Sequence, residues 1–110
     1  MNITYDEIKK LDKVKRLKLI NSITGVKSGN LIGTKSNDGI TNLAIFSSVV
    51  HLGSKPPILG FITRTSKKVK RNTLENIIST KKYTINQIQK EFIKKAHYTS
   101  AKFSEHESEF

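Results

Sequence analysis

Asn42-Leu43-Ala44-Ile45-Phe46-Ser47-Ser48, Lys55-Pro56-Pro57-Ile58-Leu59-Gly60-Phe61-Ile62-Thr63-Arg64 and Arg71-Asn72-Thr73-Leu74-Glu75-Asn76-Ile77-Ile78-Ser79-Thr80 succeed one another in the middle of the chain. From Thr34 to Asn86 the order reads strand, turn, strand, Pro-Pro loop, strand, basic loop, helix, strand. Leu31–Thr34 is a short strand, and Ser36-Asn37-Asp38-Gly39 supplies the Asp-Gly chemistry that tolerates positive φ, so a hairpin is expected there. The following strand, Ile40 to Val50, sets Ile40, Asn42, Ala44, Phe46, Ser48 and Val50 on one face and Thr41, Leu43, Ile45, Ser47 and Val49 on the other. Neither face is purely polar, which predicts cover on both sides. His51 to Pro57 reads as a loop stiffened by its prolines, and Ile58 to Thr63 as an apolar strand. Asn72 or Thr73 can cap a helix that runs to about Thr80. Tyr83 to Ile85 then forms a strand, and Ile88, Phe92 and Ala96 the apolar stripe of a last helix.

Upstream, Thr4-Tyr5-Asp6-Glu7 fits a capping box, and Ile8, Leu11 and Val14 follow at helical spacing, so residues 1–18 are expected to form an N-terminal helix. Gly25, Gly29 and Gly33 mark the bend that leads into the first strand. The 110 residues make one small domain, with neither internal repeats nor a low-complexity linker. Cysteine is absent, which excludes disulfides, zinc thiolates and cysteine nucleophiles. No apolar run reaches the ~20 residues of a membrane span. The N-terminus lacks a basic-then-apolar signal pattern, so a cytoplasmic protein is the expectation.

The net charge of +11 raises the question of a nucleic-acid partner. Seventeen of the twenty basic residues are lysine, whereas bidentate phosphate and base contacts favour arginine. A compositional bias towards lysine, isoleucine, asparagine and serine accounts for the charge without such a partner.

Arg64, Arg71 and Thr73 form the first candidate site. A helix N-terminus stabilises an anion through free N–H groups and its dipole, and two arginines and a hydroxyl would add to it. A capped helix beside a solvated basic loop accounts for the same residues, and is the commoner arrangement. Asn42, Ser47 and Ser48 form the second. Polar groups on a covered strand need partners, which are either backbone groups or a ligand rich in donors and acceptors. His51, His97 and His106 lie in no metal-ligand spacing, so no metal site is expected. No nucleophile-elbow signature is present either, and no catalytic residue is assigned.

Together these segments resemble the flavin reductase-like family of FMN-binding split barrels, with flavoredoxin among the types it is similar to. The resemblance runs from about Leu19 to Phe110. It is carried by Asn42, Ser47-Ser48 and Pro56-Pro57, by Arg71, Thr73, Asn76-Ile77, Thr80 and Asn86, and by His97 to Ala101 and Ser108-Glu109-Phe110. It implies a mainly β, α+β fold, a Greek-key split β-barrel with flanking helices, in a homodimer that binds FMN (FAD being the alternative) near the subunit interface. It implies hydride transfer from NADH or NADPH to the flavin, which carries that chemistry itself. By position, Arg64, Arg71 and Thr73 would hold the phosphate, and Asn42, Ser47 and Ser48 would contact the ribityl chain and ring. The expected departure is length: strands that close the barrel in such proteins are absent, so the chain reads as an N-terminal fragment with unpaired strand edges. A flavin carrier or electron-transfer protein of the same fold is the alternative function, and a basic nucleic-acid-binding module the more remote one.

Overall fold

The computed structural model describes residues 2–64 and 72–100. Its first helix, α1 (Tyr5–Lys10), opens on the expected capping box: the Glu7 amide donates to Thr4 Oγ1 at 3.3 Å, and the Thr4 amide donates back to Glu7 Oε2 at 2.7 Å. At Leu11 the backbone turns extended, and Asp12 caps a second helix, α2 (Lys13–Ile23), by accepting at Oδ1 from the Val14 and Lys15 amides, both at 3.0 Å. The single helix expected over residues 1–18 is therefore two, and the second runs past the expected break. An aspartate side chain competes for nearby amides better outside a helix than within one, which places the boundary at Asp12. Gly25, at φ +73, then turns the chain away in the left-handed conformation that commonly follows a helix.

β1 (Asn30–Lys35) and β2 (Thr41–Phe46) form the hairpin foreseen at Asp38-Gly39. The Gly39 amide donates to the Ser36 carbonyl at 3.1 Å, the Ser36 amide to that of Ile40 at 2.8 Å, and Gly39 sits at φ +89, where a side chain would be strained. Two readings of the next segment need correction. β2 stops at Phe46 instead of reaching Val50, and β3 (Val50–Ser54) occupies most of the stretch read as a loop. β3 pairs antiparallel with β4 (Pro57–Gly60) across a turn at Lys55 and cis-Pro56, with a register irregularity between His51 and Gly53. Pro57 is tolerated as a strand's first residue.

The helix α3 (Asn72–Thr80) lies against β1 and β2, and Lys81, at φ 59, ends it. β5 (Thr84–Gln87) returns beside β1, which completes a three-stranded antiparallel sheet of order β2-β1-β5. Ile88 does not join the last helix as expected: its amide bonds to the Gly29 carbonyl at 3.2 Å and its side chain packs over Gly29. A 3₁₀ turn (Lys90–Phe92) and α4 (Ile93–Tyr98) follow. The expected basic loop beyond Arg64 and the acidic end, Ser104 to Phe110, lie outside the described residues.

Antiparallel strands with flanking helices are thus the architecture, and no barrel closes among the described residues. The apolar core is thin. Of the described apolar residues only Ile32 and Ala96 are buried, while Leu52, Ile23 and Ile62 are 65%, 64% and 74% exposed. Neither α1 nor α2 has a buried residue. Among the described residues no helix is long and apolar enough to cross a membrane.

Candidate functional site

Pleat and register decide which side chains meet over the sheet. Pairing sets Thr34 directly opposite Asn42, and Ile32 opposite Ala44 and Ile85, so these five share one face. α3 lies on that face and presents Thr73 and Asn76, three residues apart and therefore neighbours on the helix surface. Asn42 Nδ2 donates to Thr73 Oγ1 at 2.9 Å, and Asn76 Nδ2 donates to Thr34 Oγ1 at 3.1 Å. All four residues are buried. The helix is thus held to the sheet by two polar crossbars beside Ile32. Each such bond contributes on the order of 1 kcal/mol net, but stranding one of its groups in the interior costs about 1–3 kcal/mol. Among the described residues no buried side-chain nitrogen or oxygen lacks a partner.

A second junction lies farther along β2. Phe46 is four residues from Asn42, about 13 Å along an extended strand. Its ring meets Phe61 edge-on at 5.0 Å, and Phe61 meets Tyr83 at 5.2 Å in the same manner. Just beyond, Ser48 Oγ donates to the Ile62 carbonyl at 3.2 Å and accepts from the Ile62 amide at 3.1 Å. Three aromatic rings and one hydroxyl therefore fasten the exit of β4 to the exits of β2 and into β5.

The six sequence-derived candidates fall into different places on this frame. Asn42 and Thr73, assigned to separate groups, are brought into direct contact. Ser48 is half-buried and bonded to backbone, while Ser47 and Arg64 are exposed. Arg71 lies outside the described residues, immediately before α3. Thr34 was not singled out, although the Asp-Gly turn fixes the register that sets it opposite Asn42. Asn76 was read only as part of a pattern, although its spacing from Thr73 puts both on one helix face.

At the start of the nine-residue α3 stand the Thr73 hydroxyl, which accepts from Asn42, and the Glu75 carboxylate, an acceptor whose charge opposes an anion. Among the described residues no three of histidine, aspartate and glutamate come together as metal ligands would. Bonds from the Thr4 amide and then the Thr4 hydroxyl hold the Glu7 carboxyl in the α1 cap below the usual carboxylate range.

Comparison with known proteins agrees with this architecture. A candidate flavin reductase with a split barrel domain from Shewanella frigidimarina NCIMB 400 is 45% identical and superimposes over 100% of this chain and 54% of its own, with a TM-score of 0.89. Nitrilotriacetate monooxygenase component B from Bacillus cereus, 16% identical, shares the fold over 99% of this chain and 52% of its own at a TM-score of 0.83. An uncharacterized protein of Aquifex aeolicus (strain VF5) is 26% identical over 104 residues, which make up 94% of this chain and 53% of that protein. The chain therefore spans about half the length of these relatives. The family model for the flavin reductase like domain matches residues 24–110. That match covers both hairpins, α3 and the two crossbars, and on this ground the chain belongs to the flavin reductase-like domain family.

Proposed function

We propose that this chain supplies the flavin-holding part of an FMN-dependent oxidoreductase that takes hydride from NADH or NADPH. The observation that carries the reading is the first turn of α3, seated on the sheet by the Asn42–Thr73 bond and preceded by Arg71. Bound flavin would supply the hydride-accepting ring, so no acid or base of the chain has to do so. The N–H groups and dipole of the first helical turn, with the Thr73 hydroxyl beside them, would favour the phosphate there. Arg64 and Arg71 would add charge-assisted bonds to its oxygens. Asn42, Ser47 and Ser48 lie on or just beyond β2 and would orient the ribityl chain and ring. FAD shares the same riboflavin phosphate moiety and fits the same donors.

A homodimer belongs to this reading. Val14, Leu17, Ile20 and Ile23 recur along α2 with 44–64% exposure, and the β3–β4 hairpin leaves Leu52 and Leu59 open. A second copy would withdraw that apolar surface from water.

The test is the visible absorption of the purified chain after incubation with FMN and removal of free ligand. Retained flavin bands, lost on Arg71→Ala and Thr73→Ala, are expected. A colourless chain that also stays colourless when extended to the relatives' full length sinks the reading. Steady NADH or NADPH oxidation by the flavin-loaded protein separates an enzyme from a carrier, because a carrier does not turn over.

A further inference from the structure

We propose that Thr34 and Asn76 are positioning residues, whose buried hydrogen bond fixes α3 along its axis so that its first turn stays aimed at the flavin phosphate. The inference rests on the flavin reading above and concerns two residues that would not touch the flavin.

Helices ordinarily dock on sheets through an apolar stripe. α3 has one in part, since Leu74 and Ile77 are half-buried, yet the residues it buries fully are Thr73 and Asn76. Apolar contacts tolerate sliding and hydrogen bonds do not, so the two buried bonds are what fix the helix's position. The two crossbars also match in spacing. Thr34 and Asn42 sit opposite each other on paired strands, with Cβ atoms about 5 Å apart, and Thr73 and Asn76 are separated by about the same distance on the helix. A slide of one residue is about 1.5 Å along the helix. Across bonds of 2.9 and 3.1 Å, that slide would stretch both to about 3.3 and 3.4 Å and tilt them, so the two weaken together.

Asn76 also gathers the far end of the helix. Its carbonyl accepts from Thr80 Oγ1 at 2.7 Å and from Ser79 Oγ at 3.1 Å. The residue that meets Thr34 therefore stiffens the turn leading to Lys81. Removing the Thr34–Asn76 crossbar would take away the directional bond at mid-helix and leave the Asn42–Thr73 bond near its start.

The discriminating measurement is the ratio of FMN to riboflavin affinity, since riboflavin lacks the phosphate. The double variant T34V/N76L replaces the bond with apolar groups of similar volume, which is often neutral for stability. The expected result is a folded protein whose FMN preference falls by about tenfold to a hundredfold, with riboflavin affinity kept. Thr34→Ser, which retains the hydroxyl, should keep the wild-type ratio. If the double variant does not fold, Thr34→Val alone is measured, with the same loss of FMN preference expected. An unchanged ratio in the folded variant overturns the proposal, and so does an equal loss for both ligands, the mark of plain destabilisation. A wild-type chain that does not prefer FMN to riboflavin instead sinks the phosphate reading itself, and the positioning role falls with it.

Discussion

α2 and α3 are both short helices rich in isoleucine, and they are anchored in opposite ways. α2 is defined from within its own neighbourhood: Asp12 caps it, Gly25 follows it, and no residue along it is buried. α3 is defined from afar, by side chains of Thr34 and Asn42 that lie 42 and 31 residues away from their partners. Local chemistry is enough to make a helix form, but it does not say where the helix belongs. Long-range polar bonds with narrow geometric tolerance do, and they occur in this chain beside the candidate site.

The comparison can be broken most forcefully at the sheet. Ile32→Ala removes a fully buried side chain from the strand that carries α3, and should cost about 2–5 kcal/mol in a urea titration. A loss below about 1 kcal/mol would mean that the face under α3 is not the organising core. Next in size is Asn42→Ala, which removes the buried bond to Thr73 and should cost about 1–3 kcal/mol. The loss should appear as faster amide exchange in α3 with α2 unaffected, and equal acceleration in both helices would erase the distinction between them. Asp12→Ala should cost about 1 kcal/mol of α2 alone, seen as faster exchange at Val14 and Lys15 with the urea midpoint unmoved.

The smallest effect concerns pH. Because its bonds to Thr4 lower the pKa of Glu7 in the folded chain, the cap is fully effective above the ordinary glutamate range. It weakens as pH falls through the lowered folded value. The Thr4 amide resonance should follow that titration, and Glu7→Gln should flatten it. A Thr4 amide indifferent to pH would show that the capping box does not form in solution.

What the sequence disclosed divides along the same line. The Thr4–Glu7 box, the Asp38-Gly39 turn and the extent of α3 were legible because each is written in adjacent residues. β3 was not, because His51-Leu52-Gly53-Ser54 carries little strand preference and is extended by pairing with β4. The break at Leu11 was hidden by apolar spacing that continues across it, although Asp12 held the signal. At the site, Asn42 and Thr73 were recognisable as polar residues needing partners. Their contact required knowing how α3 lies on the sheet, which no local pattern encodes.

The edge-on stack of Phe46, Phe61 and Tyr83 gives this molecule an optical handle. The chain has no tryptophan, so tyrosine governs its near-ultraviolet behaviour. Tyr83 stands at the entry to β5 and is held against a ring that belongs to the β4 exit. Of the three tyrosines it alone belongs to the stack, so the ordered part of the tyrosine circular dichroism should report whether hairpin and sheet are joined without any introduced label.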